Sequence, residues 1–176
     1  MIDATNGNTL PKLLIAMDSD NTSILEEAQV LKNKFHIIKN DVLSMENLRQ
    51  IILKSKPQLL ITYENLPDLF NENTDALINL IETARRQDVQ VIYLKHAPLP
   101  GDKLLHILVS LGVYDIVDTE NKAIPADYFC KLYDSPTPFS VASRFLMRMR
   151  IERKGQVEKI VYGRIRRQVF SNEFEL

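Results

Sequence analysis

Pro57-Gln58-Leu59-Leu60-Ile61-Thr62-Tyr63-Glu64-Asn65-Leu66-Pro67-Asp68 decides how the rest of the chain folds. Leu59 to Tyr63 is an apolar run too short for a helix, and it closes on a turn-forming segment with Asn65, Pro67 and Asp68. It is predicted as a strand, the central one of a sheet. Similar runs lie on either side: Leu13 to Met17, Phe35 to Lys39, Val89 to Leu94 and Val113 to Val117. The strands are apolar throughout and do not alternate, which implies burial on both faces.

Helical spacing fills the intervals. Ser23 and Glu26 have capping-box spacing, and Ile24, Ala28, Leu31 and Phe35 form one stripe, predicting a helix over about 23–34. Ser44 can cap a second helix with Met45, Leu48 and Ile52 inward, ended by Pro57. Thr74 can cap a third with Leu77, Leu80, Ile81 and Ala84 inward. A fourth over 102–111 is stopped by Gly112, and Pro125 suits the first turn of a fifth, running to about Leu132. Five βα units in succession predict a doubly wound, parallel five-stranded α/β sheet of the flavodoxin/CheY-like order, carrying a C-terminal helical extension in which Val157 to Phe170 can form a β-hairpin around Gly163. The functional edge is expected at the carboxyl ends of the strands, where Asp18, Tyr63, Lys95 and Asp118 gather.

Length and composition agree with one domain. The chain has 176 residues, 45% hydrophobic and 26% charged, so it can bury a core and is neither disordered nor fibrous. No apolar run approaches the roughly 20 residues of a membrane helix. The start, MIDATNGNTLPK, has no basic, apolar leader pattern, and Cys130 is the single cysteine. A reducing, cytoplasmic setting is expected. The division expected is 12–133 for the α/β domain, 134–139 for a linker and 140–176 for a basic extension. Residues 1–143 hold thirteen Lys and Arg against nineteen Asp and Glu, a net of −6, whereas 144–176 carry a net of +5. Such an arm can meet nucleic acid, an acidic partner or a second copy of the chain, or simply form a solvated helix face.

The segment Pro57 to Asp68 resembles the third strand and following loop of response-regulator receiver domains, the CheY-like family. There Pro-Asp, three or four aliphatics and the phospho-accepting Asp are followed by two residues and Met/Leu-Pro. Gly112-Val113-Tyr114-Asp115-Ile116-Val117 likewise resembles that family's Gly-Ala-x-Asp-Tyr-Leu. The resemblance covers about residues 12–133. It implies the fold and argues against the activity, because phosphoryl transfer to a carboxylate needs an Asp, a Mg²⁺ held by neighbouring carboxylates, a hydroxyl and a Lys together. Here the acceptor position holds Tyr63, and a phenol cannot form an acyl phosphate. The acid pair falls on Met17 and Asp18, the hydroxyl on Lys95, and the Lys-Pro pair on Asp118-Thr119. Glu64 is expected to point away from Tyr63 if the strand continues, because successive side chains alternate.

A degenerate receiver of this kind is similar to the pseudo-receiver modules at the N-terminus of some pilus-assembly and partition-type ATPases, which act by protein contact. No GxxxxGK[ST] occurs, so an ATPase would be a separate chain. The leading expectation is a non-catalytic, phosphorylation-independent interaction module with no cofactor or metal. Its partner would be a protein or a homodimer mate, on the side formed by the fourth helix, fifth strand and fifth helix. Arg144, Arg148, Arg150, Arg164, Arg166 and Arg167 are candidates for contact with nucleic-acid phosphates or an acidic partner.

The rival is an enzyme. Asp18-Ser19-Asp20-Asn21-Thr22 after a strand fits the Asp-x-Asp-x-Thr motif of haloacid-dehalogenase-type phosphatases, with Asp115 and Asp118 as further magnesium carboxylates. Asp20 and Asn21 also read as turn and capping residues. His36, His96 and His106 lack zinc-ligand spacing with each other or with Cys130, which reads as a packed side chain beside Phe129. With five glycines and no GxGxxG, dinucleotide binding has no support. Two structural expectations complete the reading. Asp18 and Lys95 should pair in the crevice, and a helix over 140–153, stopped by Gly155, should bury Val141, Phe145 and Met149 on the domain or across a dimer interface.

Overall fold

The computed structural model describes residues 9–40, 44–66, 74–120, 123–146, 149–150 and 160–161. Five parallel strands, β1 (Lys12–Ala16), β2 (His36–Ile38), β3 (Leu59–Tyr63), β4 (Gln90–Lys95) and β5 (Asp115–Asp118), form one sheet in the order β2-β1-β3-β4-β5. Leu13 pairs with Leu59 and Leu59 with Gln90, so the central strands start nearly level and their carboxyl ends share one edge. The chain reverses direction across the sheet between β1 and β3, and the crevice opens at that switch.

Both faces are covered. Leu13 and Ile15 join Leu25 of α1 (Ser19–Glu27), Leu31 of α2 (Gln29–Lys34), and Phe129, Cys130 and Leu132 of α6 (Ala126–Asp134) in one core. Leu14, Ala16, Leu60, Val91 and Tyr93 face the other way, onto α3 (Met45–Ser55), α4 (Thr74–Arg86) and α5 (Lys103–Ser110). The unbroken apolar runs are thus period-two strands buried on both sides.

Local chemistry sets the element ends. The Ser44 hydroxyl accepts from the Asn47 N–H and caps α3, as expected, and Lys56 leaves it in the left-handed region at φ 47°. Gly112 follows α5 at φ +90°, where its lack of a Cβ is needed. The expected single helix over 23–34 is two, because Ala28 is extended (ψ 111°). Its cap is Asp18, which accepts from the Asn21 N–H at 2.9 Å, while the Ser23 hydroxyl donates back to the Ser19 carbonyl. The break turns Ile24 off the core, leaving it 67% exposed.

The C-terminal part departs furthest from expectation. After α6, the N–H of Thr137 donates to Asp115 Oδ1 at 2.7 Å. One turn of helix, α7 (Phe139–Ala142), and a 3-10 turn (Ser143–Phe145) follow, and Leu146 is already extended. The helix expected through Arg153 is therefore absent. Ala142, Phe145 and Leu146 all pack into the core beside α5, a stripe displaced by one position from the expected Val141 and Phe145. Phe145 is buried as expected, whereas Val141 is exposed. Two short strands, β6 (Met149–Arg150) and β7 (Ile160–Val161), pair antiparallel in a separate two-stranded sheet, so Ile160–Val161 pairs with residues before 157 and not with a strand beyond Gly163 as expected. Gly155 lies outside the described residues.

Candidate functional site at the carboxyl end of the sheet

Asp18 leaves β1 and stays tied to the start of α1. Its two oxygens accept from the Asn21 N–H (2.9 Å) and the Asn21 side chain (2.7 Å), and it also accepts from the Tyr63 hydroxyl at the end of β3. Partial burial works to raise the Asp18 carboxyl, but these hydrogen bonds outweigh it and hold the group below the ordinary range. Burial first, then the bond to Asp18 and its charge, push the Tyr63 phenol up to about 12.

Lys95 does not pair with Asp18. Its ammonium sits 2.9 Å from Glu64 Oε2 and 3.3 Å from Asp102 Oδ2. The reason is the strand order: β3 lies between β1 and β4, and Asp18 is turned to cap α1, so Lys95 meets the neighbouring strand end at Glu64 and the cap of α5 instead. Glu64 points away from Tyr63, as expected: its N–H donates to the Leu94 carbonyl, level with Lys95 in the β3–β4 register, and its carboxylate accepts from the Lys95 ammonium and the His96 N–H (2.7 Å). Asp102 caps α5, with Oδ1 accepting from Leu104 and Leu105. Burial lowers the Lys95 pKa, but Glu64 and Asp102 more than offset it and the group lies above its usual value. Asp118 takes no part in this cluster. Its Oδ1 accepts from Ala97 (3.2 Å) and Glu120 (2.9 Å), bracing a loop in which Ala97 is held at φ 44°.

Asp102 and Tyr93 were not singled out by sequence reasoning, which considered Glu64 only as the neighbour of Tyr63. Tyr93 is wholly buried, and burial, Glu64 and Asp102 together raise its phenol. Its hydroxyl and that of its register neighbour Thr62 are buried without a hydrogen-bond partner. Asp102 had a signal, a lone carboxylate directly before an apolar helical run, which is the pattern of a cap. A crevice of about 530 Å³ lies on the other side of Tyr63, lined by Met17, Asn21, Ile24, His96 and Phe129 among others.

The carboxylates of the phosphatase alternative are not assembled. Asp115 opens β5 at the amino edge and is bound by Gln90 (2.8 Å) and Thr137, while Asp118 closes the same strand. Asp20 is exposed on α1. Among the described residues, no group of three His, Cys, Asp or Glu is placed to hold a metal ion. Cys130 is packed against α2, its thiol pushed up by burial. Arg144 is exposed, its guanidinium 4.6 Å from the Phe145 ring centre. Arg148, Arg164, Arg166, Arg167 and the side chain of Arg150 lie outside the described residues. Among those described, no helix is long and apolar enough to cross a membrane.

No protein-family model and no curated protein matches the chain. Solved structures do. The crystal structure of the signal receiver domain of a protein named as a Luxo repressor, from Vibrio parahaemolyticus, is 27% identical, with a TM-score of 0.50 over 77% of this chain and 90% of that one. The response regulator domain of Thermotoga maritima CheB is 10% identical, with a TM-score of 0.54 over 72% of this chain and 94% of that one, a likeness of fold alone. The chain is similar to response-regulator receiver domains and shares their flavodoxin-like α/β fold, that of a regulatory signalling module.

Proposed function

We propose that this chain is a non-catalytic pseudo-receiver, a regulatory or protein-interaction module that works without phosphorylation. The observation that carries this reading is the engagement of Lys95 by Glu64 and Asp102, beside a β3 that ends in Tyr63 hydrogen-bonded to Asp18. An incoming phosphoryl group finds no acceptor carboxylate at that strand end. The cation closest to hand is already neutralised by two carboxylates, so the crevice repels an anion. Contact with a partner is then the remaining role, as in the pseudo-receiver modules of pilus-assembly and partition-type ATPases.

In this reading the α/β domain runs over 12–133, the linker over 134–139 and the basic extension over 140–176, the extension docking its first residues, Ala142, Phe145 and Leu146, on the domain. Homodimerisation and phosphate contact by Arg144, Arg148, Arg150, Arg164, Arg166 and Arg167 belong to that extension. Salt dependence checks the nucleic-acid role, because each phosphate contact on duplex DNA contributes roughly 0.9 to the log–log slope. For the module as a whole, magnesium with a generic aryl phosphate is the discriminating assay. No turnover is expected, and magnesium-dependent hydrolysis abolished by Asp18→Asn would replace this reading with the phosphatase.

A further inference from the structure

The crevice beside Tyr63 has an apolar wall and an acidic surround. Met17, Leu25, Leu94 and Phe129 line it, each at most 7% exposed, and Ile24 stands at its rim 67% exposed. Its volume of about 530 Å³ falls within the roughly 300–1,000 Å³ of pockets that hold a compact ligand or a few side chains. Among the described residues at the strand ends and in the loops beyond them, Asp18, Glu64, Asp102, Asp118 and Glu120 stand against Lys95, a net of −4. In the first turns of α1 and α5, Asp20 and Lys103 cancel. Such a surround favours a cation, and the wall favours apolar side chains.

The chain carries a segment of that chemistry outside the described residues. Arg164-Ile165-Arg166-Arg167-Gln168-Val169-Phe170 combines three guanidiniums with three apolar side chains in seven residues. Its reach is sufficient. Leu146 packs beside α5, an eight-residue helix about 12 Å long whose first end is capped by Asp102. Asp102 shares Lys95 with Glu64, which lines the crevice. The register of β6 and β7 sets Val161 opposite Met149, three residues beyond Leu146. From Val161 the nine residues to Phe170 span up to about 30 Å, more than twice the length of α5. Tethering also raises the local concentration of a segment to roughly the millimolar range, so modest contacts suffice.

We infer that the crevice beside Tyr63 seats the chain's own segment 164–170, its arginines against the acidic surround and its apolar side chains on the wall near Ile24. A nucleic-acid phosphate then competes for the same arginines. The seat rests on the shape and charge of the crevice and not on inertness to phosphodonors, so it fails separately from the pseudo-receiver reading. The full chain with Phe170→Trp tests it, because the protein has no other tryptophan. Emission of the folded variant should be blue-shifted against the urea-unfolded chain and several-fold less quenched by acrylamide, at every protein concentration. Adding Ile24→Arg, a change at an exposed side chain, should return emission and quenching to those of the unfolded chain. Raising salt from about 0.1 to 1 M shortens the Debye length from about 10 to 3 Å and should shift the emission the same way. Unshifted emission in the folded chain, or a shift indifferent to Ile24→Arg or to salt, overturns the seat. A shift lost on dilution assigns the segment to a second copy, and one that appears only with duplex DNA assigns it to nucleic acid; either overturns the seat too.

Discussion

Replacing Lys95 by Met keeps most of the apolar stem and removes the charge between Glu64 and Asp102. The three side chains are 17%, 24% and 25% exposed, so the cluster lies between the buried and the exposed extremes. Removing one partner of a fully buried pair costs roughly 3–5 kcal/mol and of an exposed pair less than about 1 kcal/mol. Glu64 and Asp102 keep their backbone donors at His96, Leu104 and Leu105, which softens the loss. A cost of about 2 kcal/mol follows from the intermediate burial. With a urea slope of about 2 kcal/mol/M for a domain of this size, the unfolding midpoint at pH 7 should fall by about 1 M at unchanged slope. Adding Glu64→Gln should return part of the loss, since one unpaired carboxylate is gone. The pH dependence has a definite sign. The folded-state pKa of Lys95 lies above its ordinary 10.5, so its stabilisation is complete below pH 10.5 and fades as pH rises through the higher folded value. The gap between wild type and Lys95→Met should hold from pH 7 to 10 and narrow beyond. A midpoint shift under about 0.3 M at pH 7 would show the cluster to be no more than a surface ion pair, and the argument for a neutralised lysine would fail.

Other outcomes follow from single groups. The phenolate absorbance lost on Tyr63→Phe should titrate near 12 and not 10, with the stabilisation by this group complete below pH 10 and lost through 12; Asp18→Asn should bring the titration back toward 10. Tyr93→Phe deletes a buried hydroxyl that has no partner and should stabilise by about 1 kcal/mol in urea unfolding, whereas a loss of that size would contradict the unpartnered assignment. Gly112→Ala puts a Cβ at φ +90° and 3.3 Å from the Arg85 guanidinium, and should cost about 1–2 kcal/mol by the same measurement.

What the sequence made legible was whatever depends on period and length. Leu59–Tyr63 is a central strand because five apolar residues between a proline and a turn have few other fates, and parallel order follows from helices between strands. Ser44 and Asp102 act through local cap geometry, and only the first was read in advance. The site was less legible because its partners depend on which strands are neighbours. Glu64 points away from Tyr63 as period-two spacing predicts, but its meeting with Lys95 follows from the β3–β4 register, in which Thr62 pairs with Tyr93 and Tyr63 with Leu94. Lys95 meets Glu64 and Asp102 and not Asp18 because β3 lies between β1 and β4, an order that spacing along the chain does not display. The helix expected over 140–153 stops after one turn, with Leu146 already extended, and the buried side chains are Ala142, Phe145 and Leu146, one position off the stripe that Val141 suggested. Ile24 misled in the same way, its stripe broken by one extended residue at Ala28.

The central claim is that the carboxyl edge of this sheet cannot take up a phosphoryl group. Intact mass after incubation with acetyl phosphate and magnesium tests it most directly. The protein should keep its unmodified mass, because Tyr63 cannot form an acyl phosphate and Asp18 is held in hydrogen bonds to Asn21 and Tyr63. A magnesium-dependent gain of one phosphate, mapped to Asp18 or Asp20, would contradict the account.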